Sequence, residues 1–267
     1  MALVTDRRAE GLGDILRVGV DAAGEALHVV DPDVPALVGL IEALTAVADP
    51  PETQVTTAEE TLKRATDDFL VASRTADLVA DETLSLYADR RQGHTLLVVD
   101  GGVHAVVRVA DRAAALSTDD ASFVAAAREA ADDRAAGAES FSLRTPPLSR
   151  VRETLAETAG EDALADFNAA LDACADAGVA VDEVTLSLLV AARNDVLLYD
   201  ISRWGEDVGI ASKATFSRTK SRLEDAGLVD TEKVPIEVGR PRLRLKAGDD
   251  RVRDDSAALA DVVAALD

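Results

Sequence analysis

The fold of the C-terminal region is decided by the stretch Ser212-Lys213-Ala214-Thr215-Phe216-Ser217-Arg218-Thr219-Lys220-Ser221-Arg222-Leu223. Ser212 is a favourable N-cap residue, so a helix is predicted to begin directly after it. The largely apolar stripe of this helix contains Phe216, Lys220 and Leu223. The opposite stripe is small, polar and basic and contains Ala214, Ser217, Arg218 and Ser221. Such a face can enter a DNA major groove, because it has no bulky apolar group to clash and no acid to repel phosphate.

Two predicted helices precede this stretch and complete a helix-turn-helix. The first runs from Asp182 to Arg193 behind an acidic cap. The second runs from Asp200 to Val208 and has apolar residues at positions i, i+3 and i+7. Gly209 ends the second helix where a left-handed residue is favoured. Together with the stretch from Ser212, these segments predict the three helices of a winged helix-turn-helix.

A β-hairpin, the wing, is predicted after the third helix. Its first strand begins at Leu228-Val229, and its second strand alternates four cations with apolar residues over residues 240–246. A period of two places the leucines of this strand on the core and the cations outside. The stiff tip Gly239-Arg240-Pro241 would hold an arginine ready for a narrow minor groove.

The charge of this region differs in sign from that of the whole chain. Residues 212–246 include nine basic and five acidic residues, a net charge of +4, whereas the chain as a whole carries −22. A local reversal of this size predicts an anionic partner. The alternative is that the region belongs to an acidic adaptor whose winged helix docks on transcription machinery rather than on DNA.

The predicted partner is double-stranded promoter DNA, bound by a homodimer. We expect Thr215, Ser217 and Arg218 to face base edges and Arg240 to enter the minor groove. Phosphates are expected at Lys213, Arg222, Arg242 and Arg244. The full set of predicted DNA-binding residues is Ser212, Lys213, Thr215, Ser217, Arg218, Ser221, Arg222, Arg240, Arg242 and Arg244.

The composition indicates an organism that keeps molar salt in its cytoplasm. The 267 residues include 50 acidic and 28 basic ones, and only 3% are aromatic. Aspartate-rich, lysine-poor surfaces of this kind stay hydrated at high salt, so we expect a halophilic archaeon. At about 1 M salt the Debye length is only about 3 Å, and counterion release contributes less to DNA binding. Close contacts and dimer geometry would then carry the affinity.

The compartment follows from the cysteine count and from the N-terminus. Cys174 is the only cysteine, cannot pair within the chain and is predicted to be a buried spacer on an alanine-rich helix. The N-terminal residues do not resemble a signal peptide, and no apolar run approaches the length of a membrane span. We therefore expect a cytoplasmic protein without membrane contact.

The first half of the chain predicts a mixed α/β domain, so the fold class is α+β or α/β. Strands are expected at residues 15–20, 26–30, 52–56, 83–87, 95–99, 103–109 and 113–116. Helices are expected at residues 34–47, at 57–81 in two pieces, and at 119–136 with a cap at Thr118 or Asp119. The Asp100-Gly101-Gly102 sequence is a strong hairpin signal.

Four segments are predicted along the chain. Residues 1–143 form the α/β domain, for which an effector-sensing role is expected, and residues 144–180 form a helical linker with helices at 150–158 and 162–177. Residues 181–248 form the winged helix-turn-helix, and residues 249–267 end in an amphipathic helix. The apolar face of that helix, with Leu259, Val262, Val263 and Leu266, is expected either at a dimer contact or packed on its own chain.

The sequence contains no local pattern for catalysis or for a metal. His28, His94 and His104 are scattered, and Cys-x-x-Cys, P-loop and Gly-x-Ser-x-Gly motifs are absent. We expect no enzyme activity, no metal and no cofactor, and structural roles for His28 and His104.

The order of elements in the α/β domain, especially the hairpin over residues 95–109 followed by Leu116-Ser117-Thr118-Asp119-Asp120 and a helix, is similar to the phospholipase D-like sensor domain of sugar-responsive TrmB regulators. Enzymes of that superfamily need a His-x-Lys pair, whereas the three histidines here are followed two positions on by Val30, Leu96 and Val106. The resemblance therefore implies a binding pocket rather than a phosphodiesterase. A phosphorylated sugar is the expected effector, with Arg74 and Arg144 as the first cations to test.

Two runs resemble the haloarchaeal TbsP family of transcriptional regulators. They are Ser142-Leu143-Arg144-Thr145-Pro146-Pro147-Leu148-Ser149 and Ser202-Arg203-Trp204-Gly205-Glu206-Asp207-Val208-Gly209-Ile210-Ala211-Ser212-Lys213-Ala214-Thr215-Phe216-Ser217-Arg218. The similarity covers nearly the whole chain. It implies a DNA-binding regulator that acts with a TrmB-type regulator on promoters of central carbon metabolism, including gluconeogenic genes.

Overall fold

Contacts within the chain divide it into two compact units. The computed structural model describes residues 11–110, 112–235, 241–254 and 258–265. The first unit comprises the chain up to Asp67 together with Arg74–Leu143, and the second comprises Asp68–Ser73 together with the chain from Arg144 onward.

The first unit is a mixed α/β structure around one sheet. Helices in the order of the chain are α1 (Leu12–Asp21), α2 (Val34–Thr45), α3 (Glu59–Ala65), α4 (Phe69–Ala80), whose first turn belongs to the second unit, and α5 (Ala121–Ala136). Strands are β1 (Ala26–Val30), β2 (Glu52–Thr57), β3 (Leu84–Ala88), β4 (Leu96–Val99), β5 (Gly102–Val109), β6 (Arg112–Thr118) and β7 (Glu139–Ser140). The mixed α/β class is therefore confirmed.

The sheet has the strand order β6-β5-β4-β1-β2-β3-β7. Strands β1, β2 and β3 run parallel, whereas β4, β5, β6 and β7 pair antiparallel with their neighbours. The predicted hairpin at residues 100–102 is confirmed, because Val99 pairs with Gly102 across it. In β1, Leu27–Val30 are all buried, as expected for a central strand that is covered on both faces.

Two predictions for this unit were wrong. Residues 15–20, predicted as a strand, belong to helix α1, in which Ile15, Leu16 and Val20 are buried. A short apolar run fits a buried helix face as well as a strand, and the helix packs against α2. Helix α5 is capped by Asp120, which accepts a hydrogen bond from the backbone N–H of Phe123 at 2.9 Å, and not by Thr118 or Asp119.

The second unit is helical with a two-stranded hairpin. Its helices are α6 (Leu148–Ala159), α7 (Glu161–Ala177), α8 (Glu183–Arg193), α9 (Leu198–Val208), α10 (Lys213–Asp225), α11 (Asp250–Asp254) and α12 (Ala258–Ala264). The hairpin pairs β8 (Val229–Val234) with β9 (Arg242–Ala247).

One apolar core holds the second unit together. The two helices predicted as a linker contribute Val151, Leu155 and Phe167 to it, all fully buried. Helix α12 buries Leu259, Val262 and Val263 in the same core. Of the two alternatives for this helix, packing on its own chain therefore holds for these three residues, whereas Leu266 lies outside the described residues. The predicted division into four segments stays a prediction.

Candidate nucleic-acid interface

Helices α9 and α10 meet in a tight helix-turn-helix. Gly209 ends α9 with a φ of 96°, which is the left-handed conformation that glycine adopts without strain. The backbone N–H of Ile210 then donates to the Gly205 carbonyl at 2.8 Å. A Cβ atom on Gly205 would lie 2.3 Å from the Phe216 ring. The two helices therefore approach so closely that only a hydrogen atom fits at this position.

The N-terminus of α10 is capped as the sequence predicts. The Ser212 hydroxyl accepts a hydrogen bond from the backbone N–H of Thr215 at 3.2 Å. Phe216 and Leu223 on the apolar stripe are fully buried. Lys220, on the same stripe, donates to Glu224 at 2.7 Å. This stripe fixes α10 on the core and leaves the opposite stripe facing outward.

The opposite stripe of α10 is exposed and polar. Ser217, Arg218 and Ser221 are all exposed, whereas Thr215 is half-buried. The guanidinium of Arg218 donates to the Thr215 hydroxyl at 3.3 Å. Within the described part of the chain, Arg218 takes part in no ion pair. Its charge is therefore available to an outside partner.

The hairpin is joined to the helices by an additional short pairing. The backbone N–H of Leu245 donates to the Val196 carbonyl at 2.9 Å, and Leu197 forms a bridge with Arg244. Between α8 and α9 the chain thus adds a third backbone segment to β9, which is the arrangement of a winged helix. This pairing could not be predicted from the sequence, because it involves only two residues. The predicted minor-groove contact Arg240 lies outside the described residues.

The four cations predicted to contact phosphate, and also Lys246 on β9, are paired with carboxylates of the same unit. The pairs are Lys213–Glu206 at 2.6 Å, Arg222–Asp182 at 3.2 Å, Arg242–Asp200 at 3.7 Å, Arg244–Glu232 at 3.9 Å and Lys246–Asp195 at 2.6 Å. Every cation in this set keeps at least 36% of its side chain exposed. Exposed pairs of this kind contribute about 0 to 1 kcal/mol each, so phosphate oxygens can compete for the cations.

This pairing corrects the charge argument made from the sequence. Over residues 182–247, which include α8 and α9, eleven acidic residues balance eleven basic ones. The net charge of +4 applies only to a window that leaves out the carboxylates of the two preceding helices. The hydrogen bond from Lys213 lowers the pKa of the Glu206 carboxyl, so this acid is ionised when it competes with DNA. The interface is therefore a charge-paired surface with one unpaired arginine on α10.

Tyr199 is a surface residue that the sequence analysis missed. It lies in the first turn of α9 with 45% of its surface exposed, and the Arg242 guanidinium stacks over its ring at 4.5 Å from the centroid. Stacking over an aromatic ring orients a guanidinium, so Tyr199 helps to position Arg242. The chain contains only two tyrosines, and this rarity was the one feature of the sequence that could have drawn attention to Tyr199.

The two predicted effector residues belong to different units of the chain. Arg74 is half-buried on α4 in the first unit, whereas Arg144 is exposed and belongs to the second unit.

Two histidines and the cysteine occupy the following positions. His28 lies 3.6 Å from Asp132, and the Nδ1 atom of His104 lies 2.7 Å from the Ser117 hydroxyl. Cys174 is buried as predicted, and burial raises the pKa of its thiol.

No group of three or more His, Cys, Asp or Glu side chains within the described ranges is placed to hold a metal ion. None of the helices in those ranges is both long enough and apolar enough to cross a bilayer.

The three-helix arrangement with its hairpin defines the second unit as a winged helix-turn-helix domain. Residues 147–264 match the family described as the TbsP-like transcriptional regulator C-terminal helix-turn-helix domain, and residues 4–146 match the N-terminal domain of the same regulators. The chain therefore belongs to the TbsP-like transcriptional regulators. No curated protein matches the chain in sequence.

Two solved structures are similar to parts of the chain. The first is TrmBL2, an archaeal chromatin protein with a novel mode of DNA binding; it is 17% identical over 52% of this chain and 54% of its own, with a TM-score of 0.39. The second is Nuc from Salmonella typhimurium, a phospholipase D family member that is 13% identical over 48% of this chain and 89% of its own, with a TM-score of 0.34. The chain spans about half the length of TrmBL2, and neither similarity is close enough to support an argument.

Proposed function

We propose that the chain is a sequence-specific regulator of transcription that binds double-stranded DNA with α10 in the major groove. The observation that carries this proposal is the exposed stripe of α10, where Arg218 lies between Ser217 and Ser221 without a carboxylate partner among the described residues. An unpaired arginine between small polar side chains can contact a guanine edge in two hydrogen bonds. Ser212 and Thr215, at the cap, place the positive end of the helix toward the same groove.

Replacing Arg218 with alanine is expected to weaken binding by about 1 to 3 kcal/mol and to relax sequence preference at one base pair. The matched control is Lys220→Ala, which removes the same charge from the stripe that packs on the core. The control should leave sequence preference unchanged. The measurement is fluorescence anisotropy at molar KCl, with duplexes that the wild-type protein selects from a random pool. Unchanged affinity and preference for the Arg218 variant would refute this placement of α10.

The phosphate contacts are proposed at Lys213, Arg222, Arg242 and Arg244, with Arg240 at the minor groove. Because these residues read no base edge, their replacement should weaken binding equally for all sequences. Arg222 has a second role, since its guanidinium also donates to the buried Thr185 hydroxyl of α8 at 3.1 Å.

Replacing Glu206 with glutamine is expected to strengthen DNA binding several-fold. The substitution removes the carboxylate that holds Lys213 at 2.6 Å and also removes a negative charge near the phosphates. Glu153→Gln is the control, because it makes the same change of charge at an exposed position of α6, a helix that packs on α7 and α9. Anisotropy titrations of both variants check this prediction. A loss of affinity in the Glu206 variant would show that the pair orients Lys213 for DNA rather than competing with it.

An acidic adaptor is the second candidate function, and the balanced charge of residues 182–247 favours it. In that case the winged helix would dock on a component of the transcription machinery. The two functions are separated by mixing purified protein with duplex DNA at molar KCl, without other proteins. Saturable, sequence-dependent binding supports the regulator and excludes a role that needs a protein partner.

The wider role of the regulator is proposed from the family resemblance. We propose a cytoplasmic homodimer in a halophilic archaeon that acts with a TrmB-type regulator on genes of central carbon metabolism. A chromatin-immunoprecipitation map tests the target genes, and sedimentation of the purified chain tests the dimer. Sites scattered without relation to these genes, or a monomer on DNA, would each remove that part of the proposal.

We propose a phosphorylated sugar as the effector, with Arg74 and Arg144 as the first cations to test. Calorimetry with glycolytic intermediates tests it, and absence of heat with the wild-type chain would remove it.

The chain is proposed to have no phosphodiesterase activity, because the His-x-Lys pair is missing. Hydrolysis of a generic phosphodiester by the purified chain would contradict this.

A further inference from the structure

A cavity of about 560 Å³ lies in the first unit between the sheet and α5. Its floor is one face of β4, β5 and β6, with Leu96, Val98, Val103, Ala105 and Leu116. Its other wall is an alanine face of α5, made of Ala126, Ala127, Ala130 and Ala131. Alanine keeps the helix intact but does not fill the space that a leucine would occupy, so a void remains between helix and sheet. Its volume is within the range of about 300 to 1,000 Å³ that small-molecule sites occupy.

The lining of this cavity is apolar apart from a few groups at its edge. Ser117 and Thr118 contribute polar groups, and Arg134 is the one charged residue among those that line the cavity in the described part of the chain. Arg134 is already neutralised: it donates to both carboxylate oxygens of Asp31 at 2.6 and 2.5 Å and to Asp89 at 2.6 Å.

Charge in this region opposes an anionic ligand. With Arg134 paired, a phosphate in the cavity would lose its hydration without gaining a free cation, which is strongly unfavourable. A neighbouring surface pocket on α5 carries Asp119, Glu129, Asp132 and Asp133, and its Arg128 is paired with Asp100 at 2.6 Å. Neither Arg74 nor Arg144 lines the cavity. A sugar phosphate would therefore have to bind elsewhere.

The mouth of the cavity exposes large apolar side chains. Phe123 at the start of α5 is 56% exposed, and Leu116 on β6 is 45% exposed, although both line the cavity. Exposed apolar groups around a concave apolar site are typical of a surface that is covered when its ligand is bound.

We infer that this cavity binds a neutral, predominantly apolar small molecule, whose few polar atoms meet the Ser117 and Thr118 side chains. Its body packs between the alanine face of α5 and the β4–β6 sheet, and Phe123 and Leu116 cover it at the mouth. An effector role for this ligand rests on the proposed regulatory function. The binding of the ligand to the cavity does not depend on that function.

Binding is tested with the neutral fluorescent probe N-phenyl-1-naphthylamine and the full-length chain, without DNA. Ala126→Phe and Ala130→Phe add a ring at positions that line the cavity, whereas Ala125→Phe adds the same ring at a position that lines the neighbouring surface pocket instead. All three alanines are exposed, so the variants differ in the pocket they face and not in burial. The wild type and the Ala125 variant should show saturable fluorescence enhancement. Both filling variants should bind the probe at least about tenfold more weakly, with circular dichroism showing that they are folded; if one of them is unfolded, the other decides.

Two results would overturn the inference. The first is no saturable enhancement with the wild type, or equal enhancement in all four proteins. The second is a wild-type dimer that the filling variants convert to a monomer in sedimentation, because a second copy of the chain would then occupy the groove. Since no DNA is present, failure of this test does not affect the DNA-binding proposal. Equally, a failure to bind DNA does not affect the proposed ligand site.

Discussion

Replacing Gly205 with alanine is expected to destabilise the second unit by about 3 kcal/mol, at the upper end of the usual cost of overpacking. Helix propensity predicts the opposite, a gain of up to about 1 kcal/mol for this substitution within a helix. Sterics should dominate, because the new Cβ would lie 2.3 Å from two atoms of the Phe216 ring. The ring is fully buried and has no room to retreat, so α10 would be displaced from α9.

Urea unfolding followed by the fluorescence of Trp204 measures this effect. Trp204 is the only tryptophan and lies next to the substitution, so its signal reports on the second unit. The control is Arg203→Ala on the same helix, which removes an exposed pair with Asp207 and should change stability by less than about 1 kcal/mol. A Gly205 variant as stable as the wild type would mean that α9 and α10 do not pack as closely as described.

Replacing Arg134 with methionine is expected to destabilise the first unit by about 3 to 5 kcal/mol, because it leaves buried carboxylates without their cation. Asp31 and Asp89 keep only 8% and 12% of their side chains exposed. Burial alone would raise the pKa of Asp89, but hydrogen bonds from Arg134 and Arg91 outweigh it and lower the pKa to about 2. This pair therefore stabilises the fold above the ordinary aspartate pKa, and that contribution is lost as the pH falls toward 2.

The matched control for this variant is Arg128→Met on the same helix. Arg128 pairs with Asp100 in an exposed position, so its loss should cost no more than about 1 kcal/mol. Circular dichroism during urea unfolding at pH 7 and at pH 3 measures both variants. The gap between wild type and the Arg134 variant should narrow at the lower pH. Equal stability of the two variants at pH 7 would show that the ion pairs of Arg134 with Asp31 and Asp89 do not hold α5 on the sheet.

Local features of the sequence predicted helix α10 well. The Ser212 cap and the spacing of Phe216 and Leu223 depend on neighbouring residues, and both appear as expected. The same kind of reasoning failed for α1, because the short segment at residues 15–20, whose apolar residues are interrupted by Arg17, fits a strand and a helix equally well. It also missed β7 and the Leu197–Arg244 bridge, which are too short to leave a pattern.

Long-range features could not be predicted from the sequence. Arg222 and Asp182 are 40 positions apart, and Lys246 and Asp195 are 51 apart, so no local window could show that these charges meet. The cavity is a similar case, since it arises from volume that alanines on α5 leave empty against a sheet. A count of charge over a window therefore exaggerated how cationic the interface is.

The central claim, that α10 lies in the major groove of a duplex, is tested most directly by site-specific cross-linking. Cys174 is buried, so Ser217→Cys places a single accessible thiol on the exposed stripe of α10. The duplexes that the protein selects carry a tethered thiol either on adenine N6, in the major groove, or on guanine N2, in the minor groove. The control protein is Ala175→Cys, which places the thiol on α7 instead of α10. The Ser217 variant should form a disulfide with the major-groove tether only, and the control with neither. Cross-linking to the minor-groove tether, or none with DNA that the protein binds, would contradict the account.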